Sequence, residues 1–309
     1  VESSSPQKPF LDPELAAQLE SLEFRARRVV EGAFAGRYRS KRSGHSAEFS
    51  GHRSYTPSDD WRRIDWKVFG RTDHWMIRED RDETNLRVHL LLDVSRSMAF
   101  AGQNRPGKLE YAKVFTAALA MLMIHQKESV GLTLFSDRIR HFMPDGAGAS
   151  QLARLLEGLA AVTAGGGPSD FRRAVRELGE RLRRRSVIVL ISDLYRQPDD
   201  ILESLRFLTA RKHEVMAVQV IDPDERTLPF EGAIRLTDME SGETVRTEIS
   251  GIQKKYRDIV DRWLETNFRS YSSAGIDYTL VETSVPLAAN LRNFLDRRRP
   301  GGAGTPSVR

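Results

Sequence analysis

Asp93, Ser95 and Ser97 place one carboxylate and two hydroxyls at alternate positions of a single turn, directly after the apolar run Val88-His89-Leu90-Leu91-Leu92. Hard oxygen donors in that pattern suit Mg²⁺, which takes oxygen ligands in near-octahedral geometry and keeps water or ligand oxygens in the positions the protein leaves open. Two further turns carry similar chemistry. Gly165-Gly166-Gly167-Pro168-Ser169-Asp170 delivers a hydroxyl and a carboxylate just before a helix, and Ser192-Asp193 closes a second apolar run, Val187 to Ile191. Glycines allow the close backbone approach such a loop needs, and Ser169 also suits the N-cap of the following helix. The plainer reading is that Ser95 and Ser97 cap a turn and Asp193 makes a structural hydrogen bond.

Each apolar run ending at a polar turn reads as a strand covered on both faces. In open α/β sheets the C-terminal edge of such strands is where ligands bind. From Leu86 onward strands and helices alternate: strand 87–93, helix 108–127, strand 129–136, a short strand near 138–143, helices at about 149–159 and 169–184, strand 186–193, helix 198–210, strand 213–221, helix 251–273, strand 276–282 and helix 286–298. Ile234-Arg-Leu-Thr and Thr244-Val-Arg-Thr bracket a polar turn and suggest a β-hairpin insertion. The pattern predicts a doubly wound, mostly parallel α/β sheet with helices on both faces, spanning residues 85–298.

Upstream, residues 1–35 read as a disordered start followed by a helix that Asp12-Pro13-Glu14 opens and that runs to about Gly32. Residues 36–84 are polar and rich in Arg, Asp and Trp. There Pro57-Ser58-Asp59 reads as a cap before Trp61, Ile64, Val68 and Phe69, on one face of a short helix. The tail 299–309 is disordered by composition.

The 309 residues contain no cysteine, which excludes disulfides, thiolate zinc sites and cysteine nucleophiles. Hydrophobic content of 39% and charged content of 29% fit a globular protein. The longest apolar stretch, Val114 to Ile124, is too short to span a bilayer, Val1 to Pro6 lacks a signal-peptide layout, and a cytoplasmic location is expected. The net charge of +5 is concentrated in Arg37–Arg42, Arg181–Arg185 and Arg297–Arg299. Such runs offer nucleic-acid binding as an alternative function, although solvated helix ends and tails account for them. A Mg²⁺-dependent phosphatase of the haloacid-dehalogenase type is another alternative, but it needs a second Asp where Ser95 stands. No nucleophile elbow surrounds Ser95 or Ser97, and no phosphate-binding loop is present. His45 and His52 read as surface or turn histidines, and Lys108 as a surface residue at a helix start, placed to see an acidic ligand.

Asp93, Ser95, Ser97 and Asp193 are similar to the metal-ion-dependent adhesion site of von Willebrand factor A domains, in which Asp-x-Ser-x-Ser follows the first strand, Thr comes from a second loop and Asp follows the fourth strand. Ser169 stands where that family usually has Thr. The resemblance implies that Ser95 and Ser97 bind Mg²⁺ (or another divalent ion such as Mn²⁺ or Ca²⁺) directly, that Asp93 and Asp193 hold coordinated waters, and that Ser169 joins when ligand binds. An acidic side chain of a partner protein would fill the open position, which is binding rather than catalysis.

The upstream segment narrows the resemblance. Ser43-Gly44-His45-Ser46, Glu48-Phe49, Arg53-x-Tyr55-x-Pro57-x-Asp59-Asp60-x-Arg62-Arg63-Ile64-Asp65-Trp66 and Arg71 resemble the signature of the bacterial family called domain of unknown function 58, which precedes a von Willebrand A-like domain. Lys108-Leu109-Glu110, Val130-Gly131-Leu132, His213-Glu214-Val215 and Pro286-Leu287 extend the similarity over about residues 36–298. Ser58 departs from the family's usual Pro-Gly-Asp. In the signature, Asp59, Asp60, Arg62, Arg63 and Asp65 have the spacing of local ion pairs. Trp61 and Trp66 suit either packing onto the A-like domain or docking a partner. The family further implies a partner, a MoxR-type AAA+ ATPase, served by the protein as a chaperone-like or metal-insertion adaptor.

Overall fold

The computed structural model describes residues 22–24, 26, 49–56, 64–80, 86–165, 170–195, 198–239, 242–249 and 251–296. The chain divides into two units, Gly36–Asn85 and the combination of Val1–Ala35 with Leu86–Arg309.

In the smaller unit β1 (Phe49–Ser54) pairs antiparallel with a later strand, and α1 (Trp66–Thr72) lies between the two in sequence. That later strand is β2 (Met76–Asp80). Asp65 starts α1, its carboxylate accepting from the N–H groups of Lys67 at 3.0 Å and Val68 at 3.2 Å. Ile64 is held in a backbone bridge, and the Asp65 N–H donates to Met76 O at 2.9 Å. The helix therefore begins later than the sequence pattern suggests. A bridged, extended residue cannot also be helical, so Ile64 drops out of the helical face. Asp59 and Trp61 lie outside the described residues, as do Arg62 and Arg63. Trp66, Phe69 and Trp75 form an aromatic cluster, with Phe69 and Trp75 centroids 4.9 Å apart.

The larger unit runs β3 (Arg87–Asp93), α2 (Lys108–His125), β4 (Ser129–Phe135), β5 (Ile139–Gly146), α3 (Gly148–Ala160), α4 (Phe171–Arg181), β6 (Val187–Ser192), α5 (Pro198–Ala210), β7 (Glu214–Ile221), α6 (Pro223–Thr227), β8 (Ala233–Thr237), β9 (Thr244–Glu248), α7 (Gln253–Ser273), β10 (Asp277–Glu282) and α8 (Leu287–Asp296). Its sheet has the order β10-β7-β6-β3-β4-β5, parallel except for β5, and β8–β9 is a separate antiparallel hairpin. This is the doubly wound, mostly parallel α/β fold expected, with the expected hairpin insertion. No described helix is long and apolar enough to cross a membrane.

Strand alternation explains the two layers. Val88, Leu90 and Leu92 join α2, α3 and α8 in one core, together with Leu22 and Ala26 from the N-terminal helical turn. Leu91 points the other way, into a core with residues of α4, α5 and α7. α2 is buried almost all round, so small residues such as Ala112, Ala117, Ala118 and Ala120 replace an apolar stripe. The chain leaves β3 toward β4 and β5, then returns to β6 on the opposite side. The strand order therefore reverses between β3 and β6, and their C-terminal ends form a topological switch point.

The centre of the sheet also buries a histidine. His89 on β3 contacts Thr133 Oγ1 through Nε2 at 2.7 Å and stacks on Phe142, while its Nδ1 has no hydrogen-bond partner. Gly131, its register partner on β4, makes the room: a Cβ there would lie 2.5 Å from His89 Nδ1. Burial, reinforced by His213, pushes the His89 pKa down to about 3. The folded chain thus refuses a proton that the unfolded chain accepts below its ordinary value of 6.5. The resulting stability is fully present above that value and is lost as pH falls toward about 3, by at most about 1.4 kcal/mol per pH unit. His89→Gln retains a polar reach to Thr133 but cannot take up the proton. Urea-unfolding free energy should therefore fall more steeply from about pH 7 to about pH 5 in the wild type than in this variant. Equal slopes would remove the histidine from the pH response.

Candidate functional site

The register of β3 with β6 brings the two polar turns together. Leu92 pairs with Ile191, which sets Asp93 level with Ser192. The buried Asp93 carboxylate accepts from the Ser95 N–H at 2.9 Å through Oδ1 and from Ser192 Oγ at 2.7 Å through Oδ2. Ser192 Oγ in turn accepts from the Leu194 N–H at 3.0 Å. Leu194 has φ +53°, a left-handed conformation costly for a leucine, and the tight turn it makes presents Asp193. Gln219 on β7 braces that turn, donating from Nε2 to the Asp193 carbonyl at 2.8 Å. Ser95 starts a short 3₁₀ turn, Arg96–Ala99, but its side chain makes no capping bond to the backbone. Its Oγ lies 3.2 Å from Ser97 Oγ instead.

The two hydroxyls are hydrogen-bonded to each other, and the same spacing is compatible with a small hard cation. Two cis ligands at about 2.1 Å from an octahedral Mg²⁺ are separated by about 3.0 Å, close to the spacing of the two hydroxyls. Burial pushes the Asp93 pKa up to about 6, and nearby Asp193 adds to the rise, against hydrogen bonds from Ser95 and Ser192 that lower it. Burial thus disfavours the charged form of Asp93. Among the described residues, no group of three or more His, Asp or Glu side chains forms a metal-ligating cluster. The donors are instead a mixture of carboxylates and hydroxyls.

The second loop is anchored beside the first, with the Gly165 N–H donating to Val94 O at 3.0 Å and the Asp170 N–H to Ser136 O at 3.1 Å. Asp170, rather than Ser169, caps α4, accepting from the Arg173 N–H at 3.0 Å. Asp and Ser cap about equally well, and the carboxylate adds a favourable negative charge at the helix N-terminus. Ser169 itself lies outside the described residues.

Lys108 is not the surface residue its position suggests. It is fully buried, and Nζ donates to Asp193 Oδ2 and to Glu225 Oε1, each at 2.8 Å. Nζ also lies 4.7 Å from the ring centre of Tyr195. Burial alone would lower the ammonium's pKa, yet Asp193 and Glu225 outweigh it and hold the group above the ordinary lysine value. Glu225 is raised by burial, with Lys108 offsetting part of the rise. Glu225 is fixed from α6, where it completes a capping box with Asp222. The Asp-x-x-Glu spacing at 222–225 is a sequence signal for that box, whereas nothing local links it to Lys108.

Above this floor lies a cleft of about 430 Å³ whose lining includes Asp93, Ser95, Ser97, Asp193 and Glu225. Apolar walls come from Phe100, Phe171 and Leu228, and from the β8–β9 hairpin through Leu236 and Met239. The hairpin insertion therefore forms part of the site.

The chain as a whole is similar to several known proteins. The uncharacterized protein Rv1480 of Mycobacterium tuberculosis is 32% identical over 296 residues, 94% of this chain and 92% of the relative. The crystal structure of the conserved hypothetical protein BatB from Bacteroides thetaiotaomicron is similar at TM-score 0.46 and 18% identity, over 69% of this chain and 98% of that one. The SpRpn10 VWA domain is similar at TM-score 0.41 and 13% identity, over 68% and 94%. These superpositions are loose, and the fold rests on the chain's own strand order. The family model for "Protein of unknown function DUF58" matches residues 51–263, most of the sequence, and the chain belongs to that family.

Proposed function

We propose that this protein is a non-catalytic, cytoplasmic interaction module of von Willebrand A-like type, whose cleft takes a divalent cation, Mg²⁺ first among them, and through it a carboxylate of a partner protein. One observation carries the reading: Asp93, Ser95, Ser97 and Asp193, from two separate strand ends, converge on the floor of one cleft at the sheet's switch point. In this reading Ser95 and Ser97 are the direct ligands, Asp93 and Asp193 hold ordered waters, and Ser169 supplies the second-loop hydroxyl. The bound cation supplies an electrophilic seat for the partner's carboxylate. The chain's own residues do the rest. Ser192 and the Ser95 N–H aim Asp93, Gln219 and the Leu194 turn aim Asp193, and the apolar walls exclude water around the incoming side chain. A MoxR-type AAA+ ATPase is the partner that the family resemblance favours.

Calorimetric titration with MgCl₂ tests the seat directly. Ser95→Ala/Ser97→Ala should lose roughly a hundredfold in affinity relative to the wild type; equal affinities would overturn the site. The same protein should turn over a generic aryl phosphate in Mg²⁺ no faster than buffer does. Turnover that Asp93→Asn abolishes would replace the binding role with a hydrolytic one.

A further inference from the structure

Lys108 is in an expensive place. It is the first residue of α2, at the positive end of the helix macrodipole, where a cation is disfavoured. It is also fully buried, where an ammonium is costly unless paired. The fold keeps it there by closing two carboxylates on it, Asp193 from the turn after β6 and Glu225 from α6, with the Tyr195 ring alongside. Of these two carboxylates, Asp193 is also a candidate donor to the divalent ion. One oxygen set therefore faces two cations, a tethered one beneath the floor and a diffusible one within the cleft.

We propose that Lys108 is a tethered counter-cation that sets how tightly the cleft takes a divalent ion. The inference rests on the metal-binding reading above and adds a residue and a sign to it. Without a divalent ion, the ammonium holds Asp193 and Glu225 together against their mutual repulsion. With one bound, ammonium and metal both draw on Asp193, the first by a direct hydrogen bond and the second through the water that Asp193 would hold, and like charges on a desolvated floor repel far more than they would in water. Lys108 thus holds the metal affinity down, and a ligand carboxylate entering the cleft shifts the balance by adding negative charge. A purely orienting role for Lys108 predicts the opposite sign, because a loosened Asp193 would bind metal more weakly.

The test is titration of MgCl₂ and MnCl₂ into the wild type and Lys108→Met, with thermal midpoints measured with and without metal. The neutral variant should bind at least tenfold more tightly, and its midpoint should rise further on adding metal than that of the wild type. Equal or weaker binding by the variant, with the wild type binding, overturns the counter-cation and leaves the metal-binding function standing. Binding by the variant alone supports the counter-cation and overturns metal-dependent function for the native chain. Binding by neither overturns both. Should Lys108→Met not fold, Lys108→Gln, which keeps one donor toward Asp193 without the charge, carries the same expected gain and the same contrary result.

Discussion

Two acidic strand ends forced together at the middle of a parallel sheet are the constraint around which this molecule is built. β3 and β6 are both apolar and both end in an acidic turn, and their register sets Asp93 beside Ser192 and one residue from Asp193. Burying two carboxylates so close is unfavourable, because each has lost water and feels the other. The surroundings answer with hydrogen bonds to Asp93 from Ser95 and Ser192 and with the Lys108 ammonium on Asp193. Compensation of Asp93 is incomplete, which is why its pKa stays raised.

Much of the larger unit can be understood as support for that point. The all-round burial of α2 brings Lys108 beneath the floor. The capping box of α6 fixes Glu225 on the other side of the ammonium. β7 contributes Gln219, whose amide also accepts from Asn267 and Tyr278, so that the Asp193 turn is tied into the interior of the sheet. Removing one partner from such a buried network costs about 3–5 kcal/mol, mostly through the charge left uncompensated. Its members are therefore coupled, and none has a contribution separable from the others.

The cleft's composition shows how the polar floor is put to use. Its lining sets carboxylates and hydroxyls beside the apolar side chains of Phe100, Phe171 and Leu228 and, from the hairpin, Leu236 and Met239 next to Asp238. Apolar side chains beside a charge lower the local dielectric and strengthen its interactions. The hairpin supplies part of that lining although it belongs to no layer of the main sheet, so an insertion between β7 and α7 shapes the cleft without altering the fold.

The sheet was legible in the sequence because each of its signals is local. Val88–Leu92 and Val187–Ile191 read as buried strands from composition, α3 and α4 from their periodicity, and the β8–β9 hairpin from its polar turn. The oxygens of Asp93, Ser95, Ser97 and Asp193 were legible for the same reason, as residue types at strand ends. The smaller unit was read less well. The start of α1 depends on a bridge that holds Ile64 extended, and that is a pairing with distant chain. Lys108 shows the limit most clearly. Gly107-Lys108-Leu109 carries no local mark of burial, and only the packing of α2 against the turn after β6 and against α6, 85 and 117 residues away, makes it an interior cation. Sequence alone determined the strands, the helices and which polar residues stand at the strand ends, because pattern and residue type suffice for those. The tertiary structure decided where the charges meet and which cation stands among them, because electrostatic neighbours are set by packing between segments far apart in the chain.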